Sequence, residues 1–440
     1  MYFHKIEIQY LDVENLEGIL SEKPKLSYLQ KLQLINRDAR LTIVSSIGFA
    51  FSWGINDVIF NLYLIERGFA EDFIGFLLSI SLFVTAAIAI FAGVYTDRKS
   101  RKNTLLAGSS LILVATAFLY TTPSPVMLLI AQAIIGVGWA LQNVAYTPYT
   151  VSVTTEEERV HLFSVRFGFW IIANFFGYII GGYLPELWLY FGFASTLMAS
   201  YQLTLYTGLI PLFLSMLAIF PMTKDAPTPE ELTFNIRNLE NSSFIWKYTS
   251  HWTITGLGAG FFIMFMNIFF NKAFSVDSST IGLIFGINTV VLASANFLYP
   301  ILTERIGKTW TIIGSQSLSI PFLLMLSWSP NIGVAALAYI SRNVFMNVQL
   351  PVMEVFFMEG LKKEEQSTAM GLINSGDALA RGVGTNIGGI LLAAGMVRAP
   401  FAFASLFYII GVILFYWFFG RTNDSRHSVE PETIEIAKTH

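Results

Sequence analysis

The chain has 440 residues, of which 54% are hydrophobic and 13% charged, where an average soluble protein carries about 25% charged residues. With a mean hydropathy of +0.58, there are too few charges to cover the surfaces of soluble domains, so lipid must be the solvent for most of the chain. The net charge of −3 excludes the basic surplus that nucleic-acid binding needs, and the lack of Cys removes disulfides, thiolate catalysis and Cys-based metal sites.

Residues 1–40 are polar and mixed in charge, with no basic start and apolar run of a cleaved leader, so a cytoplasmic N-terminal tail is expected. Twelve stretches are then long and apolar enough to cross about 30 Å of hydrocarbon as helices. They run over 41–65, 74–95, 104–122, 126–153, 165–187 and 202–220, and, after a polar break, over 251–274, 281–302, 309–328, 332–357, 369–395 and 401–419. The expected organisation is a six-span bundle over 41–220, a cytoplasmic linker over 221–250, a second bundle over 251–419 and a cytoplasmic tail over 420–440. Of the 27 Lys and Arg, 22 fall on the side of both termini and the even-numbered connections. Basic residues mark the cytoplasmic side, so both termini are expected there, in a multi-pass protein of the cytoplasmic (inner) cell membrane.

An internal repeat relates the halves. Ile74-Gly75 maps onto Ile281-Gly282, Thr96–Arg101 onto Thr303–Lys308, Glu158 onto Glu365, and Gly177, Gly181 and Gly182 onto Gly384, Gly388 and Gly389, all at an offset of 207. With gaps allowed, Asp57 and Asn61 pair with Asn267 and Asn271. Four ordered landmarks at one offset imply two similar six-helix bundles related by an axis along the membrane normal.

The loop after the second span reads Gly93-Val-Tyr-Thr-Asp97-Arg98-Lys99-Ser100-Arg101-Lys102, with a degenerate copy around Glu304 and Arg305. In this the chain resembles the major facilitator superfamily of secondary transporters, whose pattern there is G-x-x-x-D-R-x-G-R-[KR], with Ser100 where glycine is usual. The resemblance covers all twelve spans, about 380 residues. It implies an all-α integral membrane fold of two pseudo-symmetric six-helix bundles. Two departures are visible: Gln132 stands where a fourth-span motif carries arginine, and Tyr178 follows Gly177 where similar exporters carry proline.

The resemblance gives Gly93, Asp97, Arg98, Arg101, Lys102, Glu304 and Arg305 a gating role, with Asp97 accepting N–H groups at the start of span 11 near Ser367–Ala369. It also places spans 1, 4, 7 and 10 around a central cavity. The cavity candidates are therefore Asp57, Asn61, Gln132, Asn143, Asn267, Asn271, Arg342 and Asn347, because buried amides without partners cost about 1–3 kcal/mol. Asp57 and Glu354 are the proton-coupling candidates, and Asp57 is alternatively a structural partner of Arg342 or a neighbouring Asn. Asp377 and Arg381, one turn apart in span 11, are expected to be a buried structural pair. Gly177/Gly181 and Gly384/Gly388 each leave a smooth helix face for close packing, expected at the interface between halves. Trp53, Trp139, Tyr146 and Trp170 either line the cavity or pack in the bundle.

The expected function is secondary active transport of a small solute by alternating access, with a proton as coupling ion. Its alternatives are efflux of organic compounds by antiport, or a non-transporting sensor or lipid-interacting scaffold. No enzyme activity, cofactor or metal site is expected, since the spans hold no His pair and no phosphate-binding loop of the G-x-x-x-x-G-K-[ST] type. The partners expected are the solute and the bilayer, with no nucleic acid, for a monomeric chain.

Overall fold

The computed structural model describes residues 36–98, 100–225 and 240–420. Among them every regular element is helical. Spans 1 to 6 are Arg37–Glu66, Glu71–Arg98, Arg101–Thr121, Pro125–Ser152, Glu156–Tyr190 and Leu197–Ile219. Span 7 is Ser242–Gly260, a 3-10 turn at Ile263–Phe265 and Met266–Phe274. Spans 8 and 9 are Ser278–Ile306 and Lys308–Ser327; span 10 is Ile332–Asn347 with Leu350–Glu359; spans 11 and 12 are Lys363–Ala393 and Ala399–Phe419. Ten helical stretches among the described residues are long and apolar enough to cross a membrane. Spans 10 and 11 are the two that fall short, the first because its pieces have only 16 and 10 residues and the second because Asn374, Asp377, Arg381 and Asn386 lie along it.

Several helices run past the apolar stretch, because water at a span end tolerates helix as well as loop. Span 5 starts at Glu156, where Thr155 and Glu158 cap each other's backbone N–H groups in a reciprocal box. Span 7 starts at Ser242, inside the stretch expected to be linker.

Both interruptions correct the expectation of continuous helices, and both lie on cavity-facing spans. Pro351 in the second piece of span 10 has no N–H for the Asn347 carbonyl, so the helix stops at Asn347 and restarts at Leu350. In span 7 the chain leaves the α-helix after Gly260, and the Asn61 side chain donates to the freed Met264 carbonyl at 2.6 Å.

The repeat is visible in packing. Gly177 meets the backbone of span 1 at Phe51 and Gly54, and its counterpart Gly384 meets span 7 at Leu257 and Gly260. Gly181 likewise faces Ile55, and Gly388 faces Phe261. These glycine pairs therefore pack within each half, correcting the expectation that they form the interface. The interface uses the neighbouring glycines: Gly75 on span 2 lies against Gly389 on span 11, and Gly182 on span 5 against Gly282 on span 8. The two approaches exchange under the 207-residue offset, as a two-fold relation between halves requires.

These approaches also define two faces. The face carrying both ends of the described chain and the basic loops is termed here the basic face, and the other the short-loop face. Gly75, Gly182, Gly282 and Gly389 all lie toward the short-loop face, where a Cβ at Gly389 would sit 2.8 Å from the Gly75 Cα. At the basic ends of the same two N-terminal spans, a Cβ at Gly93 or Gly168 would meet none of the described residues within 4 Å. Glu71 and Lys272 form an ion pair between the halves at the short-loop face, with Glu71 buried. The halves are therefore drawn together at the short-loop face and parted at the basic face.

Candidate central cavity

A cavity of about 570 Å³ lies between the halves, walled by the middle of spans 1, 4, 7 and 10 with contributions from their neighbours. Of the residues expected to form it, Asp57, Asn61, Gln132, Asn143, Asn267, Arg342 and Asn347 are on its wall. Asn271 is not: it caps the end of span 7 by donating to the Val276 carbonyl at 3.0 Å, beside left-handed Ser275. Spacing of one turn from Asn267 kept it on the right face but carried it past the cavity, toward the short-loop end. Glu354 is exposed beyond the interruption of span 10 and off the cavity wall, a second departure.

Among the described wall residues Asp57 is the one acid and Arg342 the one base. No ion pair within 4 Å joins them, so Arg342 is not the structural partner that the alternative reading of Asp57 offered. Asp57 accepts from the Tyr178 hydroxyl of span 5 at 3.2 Å. Arg342 is 1% exposed and held by neutral groups on its own half. It donates to the Asn343 side chain at 2.7 Å and to the Tyr408 hydroxyl, and stacks over Phe262 at 4.7 Å and Tyr408 at 5.2 Å. Its Nε has no partner. Tyr339, on the same wall, meets Asn343 and lies within electrostatic reach of both Asp57 and Arg342.

Amides tie the cavity roof together. Asn267 donates to the carbonyls of Asp57 and Val58 at 3.0 and 3.1 Å, and Asn61 donates to the Asn267 side-chain oxygen at 3.0 Å. These bonds join span 1 to span 7, so two of the expected cavity amides also hold the halves together above the cavity. Gln132, 6% exposed, donates to Ser81 at 3.2 Å and leaves its side-chain oxygen unpaired. Asn343 donates to Asn288 of span 8 at 3.2 Å.

Toward the basic face a four-ring cluster narrows the path. Phe49 lies 6.2 Å from Trp53, 5.2 Å from Trp139 and 6.1 Å from Trp170, and Trp53 meets Trp139 edge-on at 5.1 Å. Below the cluster is a second cavity of about 240 Å³ in the N-terminal half, which shares Phe49, Trp139 and Asn143 with the first. Tyr146 and Arg166 line it, the Arg166 guanidinium stacking over the Tyr146 ring at 4.4 Å.

The residues given a gating role divide. The side chains of Asp97, Arg98 and Ser367 lie outside those described, and so does the expected approach of Asp97 to span 11. Arg101 and Lys102 turn to the exit of their own half: Arg101 faces Asp225 at 3.9 Å, and Lys102 donates to the Phe220 carbonyl at 2.7 Å. Ser100, where glycine is usual, donates to Asp225 at 2.7 Å. Glu304 and Arg305 are exposed at the basic end of span 8. Asp377 and Arg381 form the expected pair, two-pronged at 3.0–3.2 Å and seated against Gly256 of span 7, but both side chains are half-buried, which corrects the expectation of a buried pair.

Sequence reasoning did not single out Tyr178, Tyr120 and Tyr339, whose hydroxyls reach cavity groups, or Arg166 of the second cavity. Tyr178 was legible in principle, being one residue from Gly177 on a span that packs against span 1. The Glu71–Lys272 pair had no sequence signal, because its partners are 201 residues apart.

The family model of the Major Facilitator Superfamily matches residues 42–271 and 253–435. The chain belongs to the Major Facilitator Superfamily. It is similar to the uncharacterized membrane protein YJR124C of Saccharomyces cerevisiae, 21% identical over 402 residues, which cover 82% of this chain and 89% of that one. It is also similar to the uncharacterized MFS-type transporter MJ1560 of Methanocaldococcus jannaschii, 26% identical over 200 residues, covering 46% and 50%. Among solved structures, a bacterial homologue of the human lysosomal transporter Spinster, inward-facing and occupied, matches with a TM-score of 0.70 at 13% identity, over 86% of this chain and 95% of that one. The nucleoside transporter NupG matches with a TM-score of 0.65 at 14% identity, covering 88% and 99%. At these identities the shared feature is the fold. This superfamily member is a multi-pass membrane transporter, with a small molecule as its cargo.

Proposed function

We propose that the chain is a secondary active transporter that moves a small polar solute by alternating access, coupled to protons through Asp57, with its basic face in the cytoplasm. The observation that carries the coupling is the setting of Asp57. Among the described residues it is the one carboxylate on the wall of the central cavity, it is met by a tyrosine hydroxyl, and no cation stands within 4 Å. A carboxylate at mid-depth is expensive to keep charged and unpaired. Taking up a proton removes that cost, and changing access from one face to the other changes its hydration.

The basic residues favour the cytoplasmic assignment of the basic face. The seal at the short-loop face and the open basic ends of spans 2 and 5 then make this an inward-open arrangement. The other arrangement follows by rocking one half against the other about the cavity. Asn143, Asn347 and the unpaired oxygen of Gln132 supply hydrogen bonds for the solute, and the aromatic cluster supplies its apolar contact.

The test is proton movement in proteoliposomes of the purified chain, read with a trapped pH-sensitive dye as solutes are added. A transported solute is expected to acidify the lumen of wild-type vesicles, and Asp57→Asn should bind that solute yet move no proton. Full solute-driven acidification by Asp57→Asn would reject Asp57 as the coupling group.

A further inference from the structure

The fold places two guanidinium groups on one path through the protein, and among the described residues neither has an acidic partner. Arg342 at the central cavity is surrounded by Asn343, Phe262 and Tyr408, with Nε unpaired. Arg166 in the second cavity stacks on Tyr146 and Phe163, and its buried NH1 is also unpaired. Arg342 is a buried cation with only neutral neighbours, which is costly, Arg166 is half-buried at its cavity edge, and in a membrane span such groups mark a ligand or a relay rather than packing. The rings of Phe49, Trp53, Trp139 and Trp170 lie between the two.

From this placement we infer that the cargo is a small organic anion with a planar or apolar body, bound at Arg342 in the central cavity and at Arg166 on the way to the basic face. This rests on the reading of the chain as a proton-coupled transporter, and it fixes the sense of the coupling. With Asp57 ionised and Arg342 charged, the empty cavity is neutral. An arriving monoanion would leave it with one net negative charge, which mid-membrane depth disfavours. If one proton joins the Asp57 carboxylate as the anion reaches Arg342, the loaded cavity is neutral again. Proton and anion therefore travel together. The groups facing Asp57 are consistent with this exchange: Tyr178 on span 5, Tyr120 on span 3, and Tyr339 and Arg342 on span 10. Arg342 is the only one of these with a permanent charge. The two arginines are one station each, because the ring cluster separates their cavities while Asn143 borders both.

The experiment is a thermal-unfolding screen of the purified full chain at pH 5.5 and 7.5. The probes are matched sets: benzoate, phenylacetate, phenyl phosphate and benzenesulfonate, pyruvate and succinate, each with its neutral amide or alcohol and its amine counterpart. Anionic members are expected to raise the unfolding temperature, more so at pH 5.5, while neutral and cationic counterparts do not. Arg342→Gln should weaken the effective anion at least tenfold, Arg166→Gln several-fold, and Asp57→Asn should remove the difference between the two pH values. Arg166 is half-buried at a cavity edge, so its variant decides the matter even if Arg342→Gln does not fold. Stabilisation by neutral or cationic members alone, anion binding indifferent to both arginine variants, or no anion effect anywhere in the panel would each overturn the inference. Proteoliposomes separate the two claims. Proton entry driven by a neutral solute would keep the transport reading and reject the anion. An anion that binds through Arg342 yet drives no proton entry would reject the transport reading and keep the site.

Discussion

The seal at the short-loop face rests on two backbone approaches that only glycine allows, so a single methyl group should shift the balance between conformations. At Gly389 an added Cβ would lie 2.8 Å from the Gly75 Cα and 2.5 Å from the Glu71 carbonyl oxygen. Carbon atoms ordinarily pack about 3.5–4.0 Å apart, so Gly389→Ala requires spans 2 and 11 to part locally by roughly 0.7–1.2 Å where their backbones cross. Both neighbours are helix backbone and cannot rotate away as a side chain would. Overpacking of this kind costs about 1–3 kcal/mol, which corresponds to roughly a 5- to 150-fold change in population. The cost falls only on the arrangement sealed at the short-loop face. The chain has no Cys, so a single thiol introduced at Leu82, on the wall of the central cavity, reports access without background. Membrane-impermeant maleimide applied from the short-loop face should label Leu82→Cys at least fivefold faster when Gly389→Ala is present, and labelling from the basic face should slow. Equal labelling rates from both faces with and without Gly389→Ala would refute the reasoning.

The Glu71–Lys272 pair closes the same face by charge, so Lys272→Ala should strand the buried Glu71 carboxylate and also speed labelling from the short-loop face. The exchanged pair Glu71→Lys with Lys272→Glu should recover part of the wild-type rate; no recovery would argue that packing alone holds the seal. Asn61 and Asn267 share one hydrogen-bonded network, so their alanine variants should be non-additive in unfolding free energy by about 0.5–3 kcal/mol, and simple additivity would count against a shared network. Asp277 caps span 8 by accepting the Thr280 N–H at 2.9 Å, a bond that holds its carboxyl below the usual range. Because the folded value is the lower one, the cap contributes fully above the unfolded value of about 3.9 and is lost as pH falls through the folded value. Asp277→Ala should cost about 0.5–2 kcal/mol near pH 7 and progressively less in acid, and a deficit that persists unchanged at pH 2 would disprove the cap.

Much of the architecture was written in hydropathy. Twelve apolar stretches, the bias of Lys and Arg and the 207-residue offset need only the local chain, because each reports what lipid or water demands at that depth. The interruptions were not legible in the same way. Pro351 flags the end of a helix piece, but a proline inside a span is equally compatible with a kink, as at Pro148 and Pro211, which lie inside unbroken helices. For the cavity, polar residues on cavity-facing spans were a sufficient guide to Asp57, Gln132, Asn143 and Arg342, since a polar group in a span has few other places to go. The guide failed where depth mattered: Asn271 and Glu354 share faces with cavity residues but lie a turn or more beyond the cavity. It failed also where identity depends on a partner far along the chain. Gly182 and Gly389 differ from Gly181 and Gly388 by one residue, yet face the other half instead of their own, and a repeat pattern alone does not say which of two adjacent glycines meets which neighbour.

The account stands on the two halves sealing one face at a time around the central cavity. The most direct measurement is the distance between paired spin labels in lipid, one pair at the short-loop face on Thr121→Cys and Trp328→Cys, and one at the basic face on Tyr95→Cys and Ile306→Cys. Across acidic and neutral pH, with and without a solute found by screening, the two distance distributions should change in opposite senses, one widening as the other narrows. Distributions that stay fixed at both faces, or widen together, would contradict it.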